Sequence, residues 1–248
     1  MSRTGDVIVV ILAAGEGTRM NSNIAKVLHK LRGKSMIRYV VEAVRGISPL
    51  RVIVVVGHQA EEVKRELEKE GLEFVHQGER LGTGHAVQMV EPLFKDFTGT
   101  LVVLNGDTPL LRTETISELL AVHRRHRASA TVLSAELEDP TGYGRIVRAR
   151  DGSLLRIAEE KDASEDEREI REVNSGMFCF ESVDLFPALA MIDRGNVQGE
   201  YYITDVIEIL RNQSKRVAGY LCDRREEVLG VNDREQLKAA ERMMIEDG

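Results

Sequence analysis

Residues 7–20 read Val7-Ile8-Val9-Val10-Ile11-Leu12-Ala13-Ala14-Gly15-Glu16-Gly17-Thr18-Arg19-Met20, and Lys26 follows six positions later. The apolar part does not alternate with polar residues, which is the pattern of a strand covered on both faces. It feeds a loop of small residues that carries two cations. Gly15 and Gly17 let the backbone take positive φ and approach a ligand closely. Backbone N–H groups can then point at phosphate oxygens while Arg19 and Lys26 supply charge.

Working outward, helical and strand periods alternate. Residues 36, 37, 40, 41 and 44 are apolar, which is one face of a helix. Strand 51–56, helix 59–70, strand 72–75, helix 84–94 and strand 100–104 follow, then a helix over 114–125. Strands separated by helices imply right-handed crossovers and an α/β fold with a mostly parallel sheet. The texture then changes. Residues 130–137, 145–149 and 153–157 read as strands, with Asp151-Gly152 as a hairpin turn, so an antiparallel addition is expected. Residues 162–172 are nearly all charged and predict a surface turn of helix. Strand 173–180, helices 183–192 and 204–212, strand 217–222 and a last helix over 234–245 complete the reading.

Ligands of an open parallel sheet bind beyond the carboxyl ends of its strands. Here those ends carry residues 13–19, then Gly57-His58, then Gln77 with Leu81-Gly82-Thr83-Gly84, then Asn105-Gly106-Asp107. Any one of these is ordinary turn chemistry. Four on one rim form a candidate site. Asp107 is a hard oxygen ligand suited to Mg²⁺, which takes one or two carboxylates plus substrate phosphates. Gln77 offers an amide donor and acceptor side by side, matching the N–H and C=O edge of a pyrimidine. The backbone of Ala13-Ala14-Gly15 would lie close to such a base, with Arg19 and Lys26 neutralising the phosphate chain.

Composition narrows the partners. Thirty-four basic against 41 acidic residues leave a net charge of −7, which argues against a nucleic-acid or anionic-membrane partner. Arg19, Lys26, Lys30, Arg32 and Lys34 oppose that field locally; for the last three a solvated basic face is the alternative. The 42% apolar and 30% charged fractions are ordinary for a globular chain. At 248 residues it is long enough for one large domain, the expectation being a single domain over 1–248. Strand one begins by Val7, so no room for a signal or transit peptide is expected and the cytoplasm is the expected compartment. Cys179 and Cys222 sit in apolar runs and are read as buried reduced thiols.

Other chemistries fail on detail. A dinucleotide fingerprint needs a third glycine where Met20 stands, and a Walker motif needs a glycine where Leu28 stands. No Gly-x-Ser-x-Gly elbow occurs and neither cysteine has a nearby histidine partner in sequence. His123 and His126 share a helical face, but Arg124, Arg125 and Arg127 surround them, and the face is read as solvated.

The second half adds polar runs suited to a sugar's hydroxyls: Gly142-Tyr143-Gly144-Arg145-Ile146, Glu159-Glu160-Lys161-Asp162, Asn174-Ser175-Gly176, Gly199-Glu200-Tyr201-Tyr202-Ile203-Thr204-Asp205 and Gly230-Val231-Asn232. Together with the opening loop, Lys26-Val27-Leu28-His29 and the Gln77 and Asp107 segments, these runs resemble the N-acetylglucosamine-1-phosphate uridyltransferases of the sugar-phosphate nucleotidyltransferase family. The resemblance spans nearly the whole chain. It implies a Rossmann-like nucleotidyltransferase domain with a small antiparallel sugar-binding addition. It also implies transfer of a uridylyl group from UTP to N-acetylglucosamine-1-phosphate, with Mg²⁺ held by Asp107 and Asn232 and with Arg19 and Lys26 as the catalytic cations. Leu12, Ala13, Ala14, Gly15, Gln77, Gly82, Thr83, Asn105 and Gly106 would hold the nucleotide, and Gly144, Glu159, Asn174 and Tyr202 the sugar. Asn105, where many members have an aromatic residue, Ala25 in place of proline and Ser175 in place of threonine depart from the pattern. The C-terminal left-handed β-helix that carries acetyl transfer in the family is expected to be absent. Another sugar phosphate or nucleoside triphosphate, or a non-catalytic nucleotide-sugar binding role, is the alternative to this activity; the oligomeric state is left open.

Overall fold

The computed structural model describes residues 6–20 and 22–246. The expectation about a leader segment falls outside those residues. The chain runs through β1 (Val7–Ala13), the short hairpin β2 (Lys30–Leu31) and β3 (Lys34–Ser35), α1 (Met36–Arg45), β4 (Arg51–Val56), α2 (Ala60–Glu66) and β5 (Glu73–His76). Next come α3 (Thr83–Gln88), β6 (Thr100–Asn105), α4 (Thr113–His126), β7 (Ala130–Glu136), β8 (Arg145–Arg148), β9 (Leu154–Ala158), α5 (Glu165–Arg168) and β10 (Glu172–Glu181). The last elements are α6 (Ser182–Leu189), α7 (Asp205–Asn212), β11 (Val217–Leu221) and α8 (Arg234–Glu246).

The main sheet has the order β11-β7-β10-β6-β1-β4-β5. β1 pairs parallel with both β4 and β6, β4 with β5, and β11 with β7. β10 alone runs antiparallel, between β6 and β7. The hairpin β8–β9 hangs off β10, as the antiparallel addition.

The unbroken apolar runs have a simple cause. In β1, Val7, Val9, Ile11 and Ala13 enter one core, while Ile8 and Val10 enter the other on the opposite face. The same split divides Val54 and Val56 from Ile53 and Val55 in β4, and Val102 and Leu104 from Leu101 and Val103 in β6. Successive strand side chains point to opposite faces, so two cores require every position to be apolar. Truncating any of the larger ones to alanine costs about 2–5 kcal/mol. Helix α1 buries Met36, Ile37, Val40, Val41 and Val44 on one stripe, and Ser164 with Glu167 closes a capping box at the start of α5.

One expectation is overturned here. His126 is exposed, but His123 is buried at 1% exposure, with Nδ1 2.8 Å from Thr131 Oγ1 and Nε2 3.1 Å from Glu181 Oε1. Helix α4 turns this face onto β7 and β10, and a carboxylate and a hydroxyl satisfy both ring nitrogens. Cys179 and Cys222 are buried and free; burial pushes both thiols upward and keeps them inert.

Candidate functional site

A cavity of about 300 Å³ opens at the carboxyl ends of β1, β5 and β6. It is lined by Leu12, Ala13, Ala14, Gly15, Lys26, Gln77, Gly82, Thr83, Asn105 and Asp107, each expected from the sequence as a site residue, and by Val27, Ala86 and Glu200, which lie inside the motif runs without an expected role, and Arg80, which lies outside them. The rim is stitched by backbone bonds from one strand end to the next. Gly106 N–H donates to Leu12 O (2.9 Å), His58 N–H to Ala14 O (3.3 Å) and Gln77 N–H to Val56 O (2.8 Å). Gly57 is required by this closeness: a Cβ there would stand 2.9 Å from both the carbonyl oxygen and the Cβ of Ala14.

Lys26 lies on a loop clamped from two sides. The Gln59 amide accepts from Ala25 N–H (2.6 Å) and donates to Asn23 O (2.5 Å). Gly17, at φ +67°, packs so closely that a Cβ would lie 2.5 Å from Lys26 Cβ. Held there, the Lys26 ammonium ion-pairs with Asp107 Oδ2 and donates to Asn232 Oδ1 at 3.0 Å. Lys26 and Asp107 side chains are only 16% and 15% exposed, so water screens the pair little. Arg19 reaches the same Asn232 oxygen at 3.4 Å. Val231 N–H donates to Asp107 O (2.9 Å), and this tie brings residues 230–232 to a strand end 124 positions earlier in the chain. Arg19, Lys26, Asp107 and Asn232 therefore form one cluster. Its carboxylate and amide oxygens already share one positive charge. That hard-oxygen pair fits a magnesium ion that completes its shell with water and phosphate oxygens.

The second polar group adjoins the cavity. Tyr201 N–H donates to Leu81 O (2.7 Å), Gly84 N–H to Tyr201 O (2.8 Å) and Ile203 N–H to Thr83 Oγ1 (3.3 Å). The run 199–205 is thus bound to the loop that follows Gln77. Glu159 accepts from Thr204 Oγ1 (2.9 Å), and Asn174 N–H donates to Gly144 O (2.8 Å). Tyr202 accepts from Gln198 Nε2 (2.8 Å) and donates to Asp162 Oδ2 (3.2 Å), so its hydroxyl is already engaged. Asn105 Nδ2 donates to Ser175 O (3.0 Å), which joins the two groups. Gly144, Glu159, Asn174 and Tyr202 are brought together beside the cavity rather than in its wall.

Electrostatics differ between the halves. Burial, reinforced by Asp162 and Glu200, pushes the Glu159 carboxyl up. Burial together with Glu159 and Asp193 pushes Asp205 up to about 6. Burial likewise raises Tyr202 to about 12 and Tyr143 above its ordinary range. Arg19 and Lys26 gather around Asp107 at one end, while Glu159, Asp162, Glu200 and Asp205 face one another at the other.

Arg145 is 2% exposed and does not line this cavity. Its guanidinium donates to Tyr143 O and to Glu160 Oε2 (2.7 Å), which clasps the 142–144 turn to the 159–162 turn. Arg80, which lines the cavity, ion-pairs with Glu16 at 2.6 Å and so links the loop after β1 to the loop after β5. Nothing in the spacing of two loop charges, 64 positions apart, announces that pair.

Residues 9–191 match the family described as the MobA-like NTP transferase domain. The chain is 48% identical over 95% of its length to the bifunctional protein GlmU of Enterococcus faecalis, and 47% identical over 96% to that of Bacillus subtilis. It spans about half the length of these curated relatives, 51% and 52%. A solved structure of UDP-glucose pyrophosphorylase complexed with UDP-glucose superposes with a TM-score of 0.77, covering 98% of this chain and all of that one, at 18% identity. That likeness speaks to the fold. Among the described residues no helix is long and apolar enough to cross a membrane.

Proposed function

Since the chain belongs to the MobA-like NTP transferase family, we propose that its cavity takes UTP and that it transfers a uridylyl group to N-acetylglucosamine-1-phosphate, releasing pyrophosphate. In this reading residues 1–248 act as one nucleotidyltransferase domain. The observation that carries it is a single cavity wall holding both a buried amide, Gln77, and the Lys26–Asp107 cluster. One end can read a base and the other can hold a phosphate chain.

The acceptor phosphate attacks the α-phosphorus of UTP. A new P–O bond forms there as the bond to the β-phosphate bridging oxygen breaks. A phosphomonoester with second pKa about 6 is already a dianion at pH 7, so no general base is needed. Positioning and charge neutralisation are then the protein's tasks. Lys26 stands where charge is exchanged, and Arg19 beside it faces the leaving pyrophosphate. Asp107 and Asn232 would hold a magnesium ion, whose contribution when bound is to neutralise phosphate charge. Ala13, Ala14 and Gly15 present backbone to the base. Glu159, Asn174, Gly144 and Tyr202 frame the sugar, and the carboxylates there suit hydroxyl donors while the cations opposite suit the phosphates.

Pyrophosphate release is measured with a panel of nucleoside triphosphates and sugar-1-phosphates, with and without Mg²⁺. Turnover restricted to UTP and N-acetylglucosamine-1-phosphate with Mg²⁺ is the expected result. No turnover with any pair sinks the enzymatic reading, and preference for another sugar phosphate or nucleotide sinks the substrate assignment.

A further inference from the structure

We propose that His85 is a positioning residue that sets which pyrimidine the cavity accepts, by orienting the Gln77 amide; this rests on the nucleotidyl-transfer reading above. Gln77 follows β5, is 4% exposed and lines the cavity. Its amide nitrogen lies 3.1 Å from Gly82 O and 3.1 Å from His85 Nδ1. A carbonyl oxygen can only accept, so the atom facing Gly82 is the nitrogen, and its second hydrogen points to the imidazole. Nδ1 is then the unprotonated nitrogen of a neutral ring. Both amide hydrogens are spent inside the protein. Among the described residues Oε1 takes no hydrogen bond.

The sequence alone presents Gln77 as donor and acceptor together. His85 removes half of that. Only an acceptor is left toward the cavity, and an acceptor distinguishes the two pyrimidines at one atom. Uracil carries a hydrogen on N3, which Oε1 can receive; cytosine carries a lone pair there, which Oε1 opposes. Helix α3 holds His85 two residues beyond Thr83, with its ring 6.4 Å from that of Tyr201. Without the imidazole, Gly82 O alone fixes the amide. A turn that points the NH₂ group at the cavity then forfeits one hydrogen bond instead of two, and cytosine becomes more acceptable.

The experiment compares wild type, His85→Ala and His85→Gln, whose amide oxygen can replace Nδ1 as acceptor. Equilibrium binding of UTP and of CTP is measured by calorimetry, and kcat/KM for each nucleotide is measured alongside. The UTP:CTP ratio is expected to fall at least about 10-fold in His85→Ala, the scale of one unmatched buried hydrogen bond, and to recover in His85→Gln. A purely structural role lowers both nucleotides equally; an unchanged ratio with lowered affinity overturns the proposal, as does a wild type that binds the two equally. If wild type binds UTP selectively but catalyses no transfer, the uridylyl reading fails while the binding ratio still decides the role of His85.

Discussion

The Lys26 ammonium is ion-paired with the Asp107 carboxylate and, on its other side, hydrogen-bonded to Asn232 Oδ1 at 3.0 Å. A lysine thus occupies the charge position between two oxygens that suit a divalent ion. Protein cation and metal compete for the same electrons.

Competition gives Lys26→Met two opposite effects. Binding of Mn²⁺ to the nucleotide-free protein, followed by electron paramagnetic resonance, is expected to tighten, since the lysine no longer holds the oxygens. The transfer rate is expected to fall at least about 10²-fold, as phosphate charge loses its partner. Weaker Mn²⁺ binding in the variant would contradict the competition.

Asp107→Asn keeps the size of the side chain and removes its charge. The backbone bond from Val231 to Asp107 O is untouched, so residues 230–232 should stay in place. We expect kcat at saturating Mg²⁺ to fall at least about 10²-fold through lost charge stabilisation, and the melting temperature to fall as well, because the largely buried Lys26 ammonium loses its counter-charge; kcat is therefore measured well below that temperature. Wild-type kcat in this variant would place the metal elsewhere.

Gly17→Ala tests the packing behind Lys26. The new Cβ meets Lys26 Cβ at 2.5 Å, and φ at +67° disfavours any side chain. A loss of roughly 1–2 kcal/mol in stability is expected from the backbone alone. Displacement of the lysine should also lower kcat by about 10-fold or more. Full activity with unchanged melting would show that the loop gives way freely.

Asp205, at the start of α7, is raised from 3.8 to about 6 by burial, then by Glu159 and Asp193. The folded protein therefore holds this proton more tightly than the unfolded chain does. The associated stability is complete below about pH 3.8 and is lost as pH rises through about 6. Asp205→Asn is expected to raise the melting temperature at pH 7.5 by about 2–4 °C, the shift produced by roughly 1 kcal/mol in a chain of this size after allowing for partial exposure. At pH 4 the two proteins should melt together. A gain of equal size at both values would assign the effect to something other than charge.

Most of the fold is legible because two cores force the strands to be wholly apolar, and one-sided helices such as α1 show a stripe. Pairing is a different matter. Nothing local in β10 says that it inserts antiparallel between β6 and β7, since its neighbours are chosen by the whole sheet. The hairpin β2–β3 is two residues a side, too short for any periodicity. The helix read over 59–70 is interrupted at Leu67, and that over 84–94 at Met89 and Val90, each continuing as a short 3₁₀ turn. His123 was misplaced because charged neighbours in sequence describe the exposed side of α4, while its own side is decided by Thr131 and Glu181. The cavity wall was legible for the opposite reason: strand ends are fixed by sequence, and a parallel sheet collects them. The Glu16–Arg80 bridge and the spent donors of Gln77 are products of assembly.

The cavity rim is joined by main-chain bonds: Gly106 to Leu12, His58 to Ala14, Gln77 to Val56. Main-chain bonds do not depend on which side chains the loops display, so support and recognition are largely separable in this site. A change of nucleotide or sugar preference should therefore be reachable by exchanging a few wall residues, with the loops keeping their lengths and paths. The scaffold would tolerate retuning much as a socket accepts different keys cut to one shank.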